Sequence, residues 1–137
     1  MRFLTFAIVV LALAGTIVSS LALKEHYNTE TSPCKINEKW DCGTVNHSPY
    51  AVFHGIPVAI IGIVGYALLG AMAGRLPLLT AVAAMGALGF TLWLTSIEAR
   101  ILLVWCIYCV TSQAVIAIIT VLAFLQLWLQ RRHRVRA

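Results

Sequence analysis

The stretch ILLVWCIYCVTSQAVIAIITVLAFLQLWL, Ile101–Leu129, carries no charged residue and holds two cysteines three apart, Cys106 and Cys109, near its start. A helix needs roughly 20 apolar residues to cross a hydrocarbon core about 30 Å thick. This run is long enough. Working outward from it, three more runs of the same character appear: Phe3–Leu23, 56–73 and 78–97. The apolar residues in them are continuous rather than alternating, which fits membrane helices and not barrel strands. The chain is 61% hydrophobic and 11% charged, against about 45–50% and about 25% in an ordinary soluble domain. The fold expected is an all-α membrane protein, a four-transmembrane-helix bundle. It forms one domain over 1–137, with a long loop, 24–55, between the first two helices.

The first run competes with a second reading. It follows Arg2, and Ser20-Leu21-Ala22 offers small residues at a spacing that suits a signal-peptide cleavage site. A signal h-region has about 7–15 residues. Phe3–Leu23 is longer, so it is expected to stay as a membrane helix.

Charge sets the orientation. One side collects the N-terminus, the turn Gly74–Pro77 and the C-terminal tail. It holds Arg2, Arg75, Arg131, Arg132, Arg134 and Arg136 and no acidic residue. The other side mixes Lys24, Lys35, Lys39 and Arg100 with Glu25, Glu30, Glu38, Asp41 and Glu98. The positive-inside rule therefore puts both termini in the cytoplasm and the loop 24–55 outside, which means the periplasm or cell exterior in a bacterium and the ER lumen in a eukaryote. A basic tail directly after a membrane helix is read as an orientation signal and an anionic-lipid contact. No nucleic-acid partner is expected.

Four cysteines result, all toward the outward face: Cys34 and Cys42 in the loop, Cys106 and Cys109 about six residues into the fourth run. An extracytoplasmic setting permits disulfides. Residues three apart share a helix face, and C-x-x-C is a redox or metal spacing. Two blander readings stand beside this. Membrane-buried cysteines can be small hydrophobes while the loop pair is a permanent staple. Alternatively, Cys34, Cys42, His47 and His54 could bind metal without catalysis, although their spacings differ from compact zinc ligand pairs. The pattern of one wet pair and one dry pair suggests a relay by thiol–disulfide exchange, which passes through a mixed disulfide. The wet pair can meet a soluble protein and the dry pair a lipid-soluble oxidant.

The loop C-x7-C, the following VNHSPY (Val45–Tyr50), then GIPVAIIGIVGY (Gly55–Tyr66), and finally WCIYC (Trp105–Cys109) resemble the vitamin K epoxide reductase family, in its bacterial form without a fused thioredoxin domain. The resemblance covers about residues 23–113. It implies a four-helix bundle around a quinone pocket near the outward face, with a short interfacial half-helix in the loop capping it. It implies a membrane thiol:quinone oxidoreductase that reoxidises a separate thioredoxin-fold partner and supports disulfide formation outside the cytoplasm. Its catalytic cysteines would be Cys34, which meets the partner, Cys42, which passes electrons to Cys106, and Cys109, which faces the quinone. The quinone would be of ubiquinone, menaquinone or vitamin K type. Pocket candidates by position are Ser48, Val58, Tyr66 and Gln113.

Two of these depart from the family pattern. Animal members place an asparagine early in the second helix and a tyrosine four residues after the last cysteine, where this chain has Val58 and Gln113. Valine has no hydrogen-bonding side chain. The Gln113 amide, which shares a helix face with Cys109, is expected either to donate to a quinone carbonyl or to be satisfied by its own helix or a neighbouring one. Proton supply is expected from interfacial water, because Glu98, on the outward link, is the acidic residue nearest the C-x-x-C pair.

Overall fold

The structure, a computed structural model, describes residues 2–27, 49, 52–53, 55–103, 105 and 107–136. The loop cysteines Cys34 and Cys42, together with His47, Ser48, His54 and Cys106, lie outside the described residues. So does most of the segment expected to carry the interfacial half-helix.

Helix α1, Arg2–Tyr27, buries Leu4, Ile8, Ala12, Gly15, Ser19, Ala22 and Glu25. These recur every three or four residues, so they form one helix face. Most are small, which lets another backbone come close in a membrane. A short antiparallel hairpin follows. Strands β1, Val52–Phe53, and β2, Ile56–Pro57, pair Val52 with Pro57 and Phe53 with Ile56. Gly55 turns it at φ 82°, a conformation that glycine adopts without a Cβ penalty. Pro57 ends β2 and stands as the N-cap of α2, Val58–Met72. The second helix thus begins two residues after the expected 56, because the hairpin takes those residues.

Helix α2 runs antiparallel along α1, and the close approaches are ordered along both. Added methyl groups at Gly62, Gly70 and Gly74 would meet Ser19, Ala12 and Thr5 in turn, and the Tyr66 ring lies on Gly15. A tight turn, closed by Arg75 and Leu76 N–H groups donating to the Met72 carbonyl, leads to α3, Pro77–Ile97. Pro77 suits a first-turn position, where its missing N–H costs nothing. Helix α3 agrees with the expected 78–97.

The expected fourth helix, 101–129, is corrected. Chain 98–102 forms a π-helical turn, Leu103 takes a left-handed conformation at φ 55°, and α4 spans Ile107–Arg136. The apolar residues 101–104 look helical by composition, but the left-handed Leu103 interrupts the helix. At the other end the helix continues through the arginine-rich tail. Arginine is a good helix former and its charge suits a helix C-terminus. Arg132 also sits over the Trp128 ring, 5.1 Å from its centroid.

Helix α4 runs back along α3, with Thr95 against Gln113 and Thr120 against Ala84. It also runs against α1, where the Gln126 amide donates to Thr5 Oγ1 at 2.8 Å. The helices therefore alternate in direction. Arg2, Gly74 and Gln130 meet at one end of the bundle. The core between them includes Ile8, Leu69, Ala81, Ala84, Ile116, Ile119 and Ala123. Outside, large apolar side chains face away from the protein: Phe3, Leu13, Ile17, Val82, Val121 and Trp128 are all more than half exposed. That exterior needs lipid around it. Intrahelical bonds satisfy the hydroxyls of Thr16, Thr80, Thr95 and Thr120, as a membrane interior demands. Helices α1, α3 and α4 are long and apolar enough to cross a membrane, and α2 is shorter. The chain is a helical integral membrane protein.

Candidate functional site

At the bundle end opposite Arg2 and Gln130, small residues leave space. Ala22, Ala59, Gly62, Gly65 and Ala87 line a cavity of about 300 Å³. A methyl group at Gly65 would meet nothing within 4 Å. The volume is at the lower end of ligand pockets, which run from about 300 to 1,000 Å³. Most of the remaining wall is apolar, with Val18, Val58, Ile61, Leu69, Phe90, Leu94, Ile97 and Ile116. The hairpin sits beside it, since Phe53 packs edge-on against Phe90 with ring centroids 6.0 Å apart.

A few polar side chains converge on this apolar wall: Cys109, Tyr66, Ser112 and Glu98, with Ser19, Thr91, Thr95 and Tyr108. Tyr66 is 5% exposed. Its hydroxyl reaches the Ser112 carbonyl at 2.9 Å and Ser112 Oγ at 2.7 Å. A phenol has one proton. With that proton given to the carbonyl, the Ser112 hydroxyl proton can go back to Tyr66 or to an acceptor in the cavity. Gly15 makes this arrangement possible, because a side chain there would occupy the space of the Tyr66 ring.

Cys109 is half-buried and is the third residue of α4. A helix begun at Ile101, as composition predicts, would set it beyond the first turn. The later start at Ile107 corrects that. The first four N–H groups of a helix have no intrahelical acceptor and carry partial positive charge. Cys109 therefore lies within the first turn, next to that charge.

Among the expected site residues, Val58, Tyr66 and Cys109 share the cavity wall. Gln113 does not join them. Its side-chain amide lies 3.3 Å from Thr95 Oγ1, whose one proton goes to the Thr91 carbonyl, and the residues that α4 gives to the wall are Tyr108, Cys109, Ser112 and Ile116. Ser48, Cys34, Cys42 and Cys106 are outside the described residues. The sequence reading missed Ser112, although it is three residues from Cys109 and on the same face. It also left Glu98 on the outward link, whereas the structure buries it at 4% exposure on the cavity wall. Nothing in the sequence signals that burial. Among the described residues no three His, Cys, Asp or Glu side chains group as metal ligands.

An apolar intramembrane cavity with Cys109 and a few hydrogen-bonding groups among the described residues of its wall defines a class: a membrane protein built to bring a cysteine to a lipid-soluble molecule. The model of the vitamin K epoxide reductase family matches residues 6–124, and the chain belongs to that family. The family consists of membrane thiol oxidoreductases linked to quinones, which generally work with thioredoxin-like partners. No curated protein matched the chain. The match takes in nearly all of α1, which contributes Val18, Ser19 and Ala22 to the cavity wall and Gly15 to the seating of Tyr66.

Proposed function

We propose that the protein is a membrane thiol:quinone oxidoreductase that reoxidises a separate thioredoxin-fold protein outside the cytoplasm. In this reading it spans the membrane four times as one domain, with α2 as the second span. Both termini are cytoplasmic and the cavity lies toward the outer face. Support for that orientation comes from the basic residues. Arg2 and the Gly74–Arg75 turn lie at one end of the bundle with the arginine-rich end of α4, and the cavity lies at the other. Helix α2 has 15 residues, about 22 Å at about 1.5 Å each, so the turn after it and the hairpin before it must complete the crossing.

The partner's thiolate attacks the Cys34–Cys42 disulfide at Cys34, and resolution of that mixed disulfide leaves Cys34 and Cys42 as thiols. Cys42 then attacks Cys106 of the Cys106–Cys109 disulfide and releases Cys109. Attack by Cys34 on Cys42 restores the loop disulfide and leaves Cys106 and Cys109 reduced. Closing the Cys106–Cys109 bond again gives up two electrons and two protons. A quinone bound in the cavity accepts two electrons and two protons. The apolar wall around Val58, Leu69 and Ile116 fits a quinone and its isoprenoid tail. The Ser112 hydroxyl, set by Tyr66, is the donor placed to hold a carbonyl oxygen.

The observation that carries this reading is Cys109, in the first turn of α4 on the wall of an apolar cavity. A Cys34→Ala, Cys109→Ala double variant tests the transfer pair. With both thiols that could break it gone, mild oxidation should leave a Cys42–Cys106 disulfide, found by peptide mapping. Cys42 and Cys106 both recovered as free thiols would refute the relay as drawn.

A further inference from the structure

Glu98 is an acidic side chain with no place in the relay above. It opens the π-helical turn Glu98–Leu102, is 4% exposed, and lies on the cavity wall with Cys109, Tyr66 and Ser112. The next two residues, Ala99 and Arg100, are exposed, as is Ile101. The turn therefore sends its one acid inward and its one base outward. Single π-helical turns occur often at functional sites. The chain then passes through Leu103 at φ 55°, a strained conformation for a non-glycine residue. An ionisable side chain in a mainly apolar wall is costly to keep and points to a use.

Proton balance supplies the use. Quinone reduction consumes two protons, and closing the Cys106–Cys109 disulfide releases two. The Tyr66 hydroxyl is engaged by Ser112. Among the described residues, the other ionisable groups on the wall are Tyr108 and Cys109 itself. We propose that the Glu98 carboxyl is the catalytic acid of the cavity: it gives a proton to a quinone carbonyl oxygen and takes one back from the thiols as their S–S bond forms. The second thiol proton goes to the second carbonyl oxygen by way of solvent, so the carboxyl ends each turnover as it began. This rests on the cavity being the quinone site.

The test uses full-length protein, reduced and mixed anaerobically with a short-chain ubiquinone in a single turnover. Glu98→Gln keeps the shape and removes the exchangeable proton. It should slow hydroquinone formation about 100-fold or more with the equilibrium quinone affinity unchanged. Glu98→Asp or added formic acid should restore part of the rate. In protein free of quinone, the infrared difference spectrum between oxidised and reduced thiols should contain a carboxyl feature that Glu98→Gln removes. A Glu98→Gln rate within about twofold of wild type, or a loss explained wholly by weaker quinone binding, or no such infrared feature, would overturn the proposal. Cys109→Ala separates the two levels. If that variant still reduces quinone at the wild-type rate, the quinone-site reading fails. If it is inactive and Glu98→Gln is not, only the role of Glu98 fails.

Discussion

Gly15→Ala is the sharpest structural perturbation, because two opposing effects can be weighed. Alanine is favoured over glycine inside a helix by about 1 kcal/mol, so at an open position the change would stabilise. At Gly15 the new methyl group would overlap the Tyr66 ring. Either α1 and α2 separate or the ring turns away. Overpacking of that kind costs about 1–3 kcal/mol. A displaced Tyr66 also loses its bonds to Ser112, worth about 1 kcal/mol in a membrane helix bundle. The steric and hydrogen-bond losses together exceed the propensity gain, leaving a net loss of about 1–3 kcal/mol. Reversible unfolding in mixed micelles measures it. The decisive comparison is a double-mutant cycle with Tyr66→Ala, where the obstructing ring is absent and Gly15→Ala should become neutral or stabilising. The same cost in both backgrounds would refute the close approach of Gly15 and Tyr66.

The other predictions concern the same helices. Tyr66→Phe should cost about 1 kcal/mol, and Ser112→Ala less, because the Ser112 backbone carbonyl still accepts from Tyr66; micelle unfolding compares them. Gly65→Ala meets nothing within 4 Å, so stability should hold or rise while quinone affinity falls, as the methyl group takes up cavity space. Gln126 is 2% exposed and its Oε1 has no hydrogen-bond partner among the described residues. Replacing it together with its partner, Gln126→Leu with Thr5→Val, should change stability by no more than about 1 kcal/mol.

How far the sequence could be read depends on which force decides each feature. Apolarity decides where helices cross, so α3 agrees with its expected range almost to the residue. Composition is blind to backbone conformation, and Leu103 is an apolar residue in an apolar run. Its left-handed φ moved the start of α4 to Ile107 and brought Cys109 into the first turn. Ser112 goes unread for a related reason. Spacings of three and four both follow Cys109 around the helix, and the seating of Tyr66 against Gly15 selects Ser112. Glu98 was legible as an acid near the C-x-x-C pair, but its burial depends on a π-helical turn that no residue pattern announces.

The central claim is that Cys109 delivers electrons to a quinone in the cavity. Anaerobic titration of the pre-reduced protein with ubiquinone and with menaquinone tests it directly. The account predicts two quinones reduced per fully reduced protein, the first by the Cys106–Cys109 dithiol and the second after the Cys34 and Cys42 thiols have reduced that pair again, with one disulfide formed per quinone, and neither in Cys109→Ala. Quinone reduction at the wild-type rate in Cys109→Ala, or no reduction by the wild-type protein with either quinone, would contradict it.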